Sequence, residues 1–143
     1  MVPLDLKMPF ISTILCVDDD EDDLLFLREA IAAQRYDFKV EEASNGRQAL
    51  EYLKAAAEKN ELPCLVIMDI NMPGLDGKET ILQIKANEAL QKLPVVVFTT
   101  SSRQTDRAYF ENLGVQYYSK PFDYKLFRNR ITDLLAYCAD LSG

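Results

Sequence analysis

The chain has 143 residues, enough for one domain with a substantial core and too few for two comfortable ones. Its 48% hydrophobic and 27% charged content fit an ordinary soluble globular protein, and a formal net charge of -7 argues against nonspecific binding to nucleic acid or anionic membranes. No apolar run approaches the roughly 18 residues of a membrane span. The first ten residues carry Asp5 and Lys7 and lack a continuous signal-peptide core, so a cytoplasmic location is expected.

Taken in order, residues 1–11 read as a loosely held extension marked by Pro3 and Pro9. Ile14 to Val17 form an apolar run that ends in acid, from Asp18 through Asp23. Leu24, Leu27 and Ile31 follow at helical spacing, so a helix starts inside the acidic run, where carboxylates favour its N-terminus and can cap it. Lys39 to Ala43 has mixed polarity, suited to an edge strand, and the Ser44-Asn45-Gly46 turn opens a helix with Leu50, Leu53 and Ala57 on one face. Leu65 to Met68 is wholly apolar and runs directly into Asp69, as a strand buried on both faces would. Asn71 and a Met72-Pro73-Gly74 breaker come next, and beyond Asp76-Gly77 a helix is predicted from Lys78 to Ala86. Pro94 introduces Val95 to Phe98, a third apolar run, which ends in Thr99 and Thr100. A segment with Tyr109, Phe110 and Leu113 stops at Gly114, and the stretch from Gln116 leads to Lys120-Pro121. The closing helix begins near Asp123 and buries Phe127, Ile131, Leu134 and Cys138; residues 139–143 form a tail.

Strands alternating with helices five times predict an α/β fold. It is a (βα)5 doubly wound parallel sheet of flavodoxin-like order 2-1-3-4-5, with the mixed strands at the edges, over residues 12–138. Three cysteines (Cys16, Cys64 and Cys138) without metal-ligand spacing read as buried, reduced thiols, and zinc is not expected. There is no histidine, which removes every mechanism needing an imidazole from this chain.

The strand ends then collect Asp18, Asp19, Asp69, Thr99 and Lys120 in one crevice. Carboxylates so crowded call for a cation, and all-oxygen donors point to Mg²⁺ or Mn²⁺. With an ammonium and a hydroxyl alongside, this is a site for a phosphoryl group, with Asp69 as nucleophile. The patterns GxxxxGK[ST] and GxGxxG are absent, and six acids after the first strand would repel a flavin phosphate.

Four segments in order, VDDD, MDINMPGLDG, VVVFTT and YYSKPF, resemble the receiver domain of bacterial two-component response regulators, single-domain and chemotaxis-regulator-like. The resemblance implies Asp69 as phosphoacceptor and Asp18 and Asp19 as the acidic pair holding Mg²⁺, with the Asn71 backbone carbonyl as a further ligand. It implies Thr99 as switch hydroxyl, Tyr117 as switch aromatic, Lys120 as phosphate-pairing lysine, and a cis Lys120–Pro121 bond. Two positions depart from the family pattern. Thr100 stands where Ala or Gly is usual, which narrows access to the phosphoryl group, and Ser101 occupies a position linked to dephosphorylation rate. The implied function is phosphoryl transfer from a partner histidine kinase or His-phosphotransfer protein to Asp69, with the chain catalysing only its own phosphorylation and dephosphorylation. Output then passes to a protein partner, for which Tyr109, Tyr118 and Lys125 are candidate contacts, without direct nucleic-acid or membrane binding. Two alternatives stand beside it. A Mg²⁺-dependent aspartyl-phosphate phosphohydrolase would want a general acid where Asn71 lies, and a phosphorylation-independent interaction module would be expected to have lost part of the site.

Overall fold

The computed structural model describes residues 8–71, 77–100 and 103–138. Strands β1 (Met8–Val17), β2 (Tyr36–Ala43), β3 (Leu65–Met68), β4 (Val95–Thr99) and β5 (Gln116–Ser119) alternate with helices α1 (Glu21–Ala32), α2 (Gly46–Glu58), α3 (Gly77–Ala86), α4 (Gln104–Asn112) and α5 (Tyr124–Leu135). The strands form one sheet of order β2-β1-β3-β4-β5, every pairing parallel. This is the doubly wound fold that the apolar runs imply. β3 and β4 are buried at every residue because helices cover both faces.

Strand side chains alternate between two cores. Leu15, Val17, Val66, Met68 and Val97 join α2, α3 and α4 through Leu53, Ile81, Ile84 and Phe110. Ile14, Cys16, Leu65, Ile67, Val96 and Phe98 join α1 and α5 through Leu27, Ile31, Phe127, Ile131 and Leu134. Helix starts are fixed locally. Asp20 caps α1 by accepting from the Asp22 and Asp23 amides at 2.9 and 3.3 Å, Asn45 caps α2 from Gln48 at 2.9 Å, and Asp123 caps α5 from Leu126 at 3.1 Å. Gly77 opens α3 hard against the end of β3. A Cβ there would sit 2.5 Å from the Ile70 Cα and 2.9 Å from the Asp69 carbonyl oxygen, so only glycine permits this approach.

The structure departs from the sequence reading at four places. β1 begins at Met8, inside the stretch read as an extension, and its pairing with β2 shifts register between Met8 and Ser12. β2 begins at Tyr36, three residues before the run recognised as a strand. The Lys120–Pro121 bond is trans, since no cis peptide occurs among the described residues; trans is the isomer that X–Pro bonds favour by about 0.5–1 kcal/mol. Finally, Cys64 and Cys138 are not reduced thiols but a disulfide, with Cα atoms 5.0 Å apart, and Cys138 lies beyond the end of α5 instead of on it. Packing α5 across the sheet brings together two cysteines 74 residues apart, which spacing alone does not reveal. Cys16 remains free and buried, and burial pushes its thiol well above the ordinary range. No helix of the described residues is long and apolar enough to cross a membrane.

A crosslink closing so long a loop stabilises by roughly 4 kcal/mol through the unfolded chain. Denatured, unreduced protein should therefore take up one alkylating label, at Cys16, and reduction should expose the pair and lower the melting temperature. Labelling of all three cysteines without reductant would contradict the disulfide.

Candidate functional site

The C-terminal strand ends are held level by backbone bonds. The Asp18 amide donates to the Ala43 carbonyl at 3.0 Å, the Asp69 amide to Val17 at 2.9 Å, and the Lys120 amide to Thr99 at 2.7 Å. Each functional side chain thus leaves the sheet at its upper edge, where open α/β sheets form their crevice. Asp18 follows β1, Asp69 follows β3, Thr99 ends β4 and Lys120 follows β5.

The Lys120 ammonium lies at the centre. Its Nζ donates to Asp18 Oδ2 at 2.6 Å, Asp23 Oδ2 at 2.7 Å and Asp69 Oδ2 at 3.2 Å, so all three of its protons have carboxylate acceptors. The Lys120 side chain is only 4% exposed, and Asp18 and Asp69 are buried with it. Asp69 Oδ1 accepts from the Asn71 amide at 3.0 Å, and the Asn71 side-chain amide donates to Thr99 Oγ1 at 3.3 Å. A chain of polar contacts therefore runs from Lys120 through Asp69 and Asn71 to Thr99, itself fully buried.

Three carboxylates facing one ammonium leave the crevice with excess negative charge. Burial pushes the Asp18 carboxyl up from 3.8 to about 6; the Lys120 charge pulls against this, while Asp69 adds to the rise. Burial works against the Lys120 charge, but Asp69 and Asp18, with the hydrogen bonds to Asp18 and Asp23, outweigh it and hold the lysine above its ordinary value. Oxygens of Asp18, Asp23 and Asp69 lie within 4.8 Å of one another, a donor set that fits a hard divalent cation.

Of the residues singled out in the sequence, Asp18, Asp69, Asn71, Thr99 and Lys120 come together. Asp19 does not join the carboxylate cluster; it lies beside it, exposed. Thr100 is exposed at the rim, while Ser101 and the loop residues 72–76 lie outside the described residues. Tyr117 pairs with Val97 across the β4–β5 register, two residues below Thr99. It is buried against Phe110 (ring centroids 6.1 Å apart), beneath the Arg107 guanidinium at 4.9 Å, and Arg107 also donates to the Tyr117 carbonyl at 3.1 Å. Tyr109 and Tyr118 are half-buried and Lys125 is exposed. Sequence reasoning missed Asp23, whose place in the first turn of α1 assigned it to the helix dipole. It also missed the Asn71 side chain, having singled out only that residue's carbonyl. The run of six acids was the available signal, for caps and strand ends account for only some of them.

Residues 14–132 match the family model described as the response regulator receiver domain. Over 137 residues, 94% of the chain, it is 31% identical to the probable methanogenesis regulatory protein FilR2 of Methanothrix harundinacea and spans 86% of that protein. Other relatives are far longer: the chain spans 8% of histidine kinase P4 of Formosa agariphila. Among solved structures it resembles the phosphorylated cyanobacterial phytochrome response regulator RcpA, with a TM-score of 0.83 and 25% identity, covering 92% of this chain and 96% of that one. It also resembles the Mn(2+)-bound form of response regulator Rcp1, a protein of Synechocystis, with a TM-score of 0.78 and 29% identity, covering 87% and 92%.

Because the Asp18 carboxyl is held above its unfolded value, the folded chain binds its proton more tightly than the unfolded chain does. That contribution stabilises the fold below about pH 4 and is lost as pH rises through about 6. In metal-free protein, Asp18→Asn should therefore melt several degrees above wild type at neutral pH, with the gap closing near pH 4. A variant less stable than wild type at neutral pH would mean that the Lys120 pair, and not the cost of burial, governs Asp18.

Proposed function

From the premise that this chain belongs to the response regulator receiver domain family, acting in two-component signalling, we propose that Asp69 is the residue that accepts the phosphoryl group. The observation that carries this reading is the buried Asp69 carboxylate, 3.2 Å from the Lys120 ammonium and joined through Asn71 to the Thr99 hydroxyl. An Asp69 oxygen attacks the phosphorus of a donor phosphohistidine. The P–O bond forms, the P–N bond breaks, and the imidazole leaves with the bonding pair and takes up a proton. These 143 residues contain no histidine, so the phosphohistidine lies outside them, and a histidine kinase or His-phosphotransfer protein is its proposed source. Lys120 offsets negative charge on the transferring oxygens, and Thr99 donates its hydroxyl to one of them. Asp18, Asp69 and the Asn71 carbonyl would hold Mg²⁺ or Mn²⁺, with Asp19 reaching in from the rim. When bound, the cation supplies charge neutralisation at the same oxygens. The chain catalyses nothing beyond gain and loss of its own phosphoryl group.

The phosphoryl group adds close to two negative charges at the end of β3. Drawing Thr99 toward it disturbs the end of β4, and Tyr117, already packed on Phe110, transmits the change by repacking beneath Arg107 rather than by entering the core from solvent. A protein partner reads the change on the face that carries Tyr109, Tyr118 and Lys125.

With acetyl phosphate and Mg²⁺, intact mass should rise by one hydroxylamine-labile phosphoryl group, and Asp69→Asn should gain none. Thr99→Ala should still gain it, yet its amide resonances from Gly114 to Lys120 should respond weakly to beryllofluoride. A phosphoryl group retained in Asp69→Asn removes the acceptor assignment; a full wild-type response in Thr99→Ala removes the switch.

A further inference from the structure

We propose that Asp23 is a positioning residue for Lys120, retaining one ammonium donor in the unphosphorylated protein and so limiting how readily a phosphoryl group forms and persists on Asp69. This rests on the reading of Asp69 as phosphoacceptor and goes beyond it, because nothing in that reading requires a carboxylate at position 23.

The geometry carries the argument. Lys120 has three N–H donors, and its two short contacts go to Asp18 and Asp23, at 2.6 and 2.7 Å; the contact to Asp69, at 3.2 Å, is the longest. The ammonium therefore sits toward the α1 side of the crevice. Asp23 is held there by its helix, since its amide donates to the Asp20 cap. Its side chain is 26% exposed, the most open of the three carboxylates around Lys120. The opening is a cavity of about 330 Å³ that Asp23 lines together with Lys120, Thr100, Phe26, Phe122 and Phe127. The Asp23 charge thus faces an open cavity beside the Lys120 ammonium.

Asp23 opposes the phosphorylated state in two ways. It competes for the donor that a phosphoryl oxygen requires, and it adds a like charge beside a group that itself brings nearly two. Asp23→Asn keeps the size and an acceptor oxygen while removing the charge. Asp23→Glu keeps the charge and can still reach the ammonium. Asp22→Asn removes a charge from the same turn at an exposed residue outside the cluster around Lys120.

The test is calorimetric titration of each folded variant with beryllofluoride at saturating Mg²⁺, beside separate Mg²⁺ titrations. The expected result is at least about a fivefold gain in beryllofluoride affinity for Asp23→Asn, near wild-type affinity for Asp23→Glu, and a change within about twofold for Asp22→Asn. In acetyl phosphate kinetics, Asp23→Asn should show a lower half-saturating donor concentration. No gain in Asp23→Asn, or an equal gain in Asp22→Asn, overturns the inference. A loss of Mg²⁺ affinity beyond about tenfold in Asp23→Asn, with no gain for beryllofluoride, also overturns it and makes Asp23 a cation ligand. If wild type itself neither binds beryllofluoride nor gains a phosphoryl group, the acceptor reading falls first, and that failure is seen without any Asp23 variant.

Discussion

The rest of this structure depends on one buried ammonium. Lys120 projects from the end of β5 and donates to a carboxylate after β1, one after β3 and one in the first turn of α1. A single side chain thus ties the end of β5 to the β1–α1 junction and to the end of β3, segments distant in sequence. A buried lysine without such partners would lose its proton or drag water into the core. Buried carboxylates without the lysine would repel one another. Each side makes the burial of the other tolerable, yet the carboxylates are only partly offset, because acids outnumber bases three to one around Nζ.

That imbalance explains why the crevice is suited to change. Burial, with a smaller push from Asp69, holds the Asp18 carboxyl high, and the excess negative charge favours arrival of a divalent cation at the carboxylate oxygens. A group transferred to Asp69 changes the number and position of acceptors available to Lys120. It also reaches Thr99, which the Asn71 side chain already contacts. On the proposed reading, occupancy of the site would be passed on through hydrogen bonds that exist before anything binds, and Tyr117 with Arg107 lies two residues down the neighbouring strand pair.

Much of this was legible in the sequence where one physical rule acts alone. Fully apolar runs of four, each ending in a polar residue, named β3 and β4, and with them Asp69 and Thr99, because strands covered on both faces leave no room for alternation. The edge strands were less legible. β2 carries four charged residues, Asp37, Lys39, Glu41 and Glu42, so only its last residues looked like a strand, and Pro9 read as a breaker although the β1 backbone runs through it. Asp23 escaped because its local and its tertiary roles coincide: an acid in a first helical turn has a sufficient explanation before Lys120 is known to be opposite. Asp19, next to Asp18 in sequence, lies exposed beside the cluster. The Cys64–Cys138 pair depends on where α5 ends in space, which no local pattern encodes.

The central claim is that Lys120 is shared among these carboxylates and passes a donor to whatever anion forms on Asp69. NMR of the ¹⁵N-labelled lysine ammonium groups tests it directly. With Nζ buried and all three protons accepted, Lys120 should give a resolved ammonium resonance protected from solvent exchange at neutral pH. That resonance should shift on addition of beryllofluoride and Mg²⁺, as one donor moves to the anion. A Lys120 resonance left unmoved while the Asp69 and Asn71 amides respond would show that the anion binds without the lysine, and the account would fail at its centre.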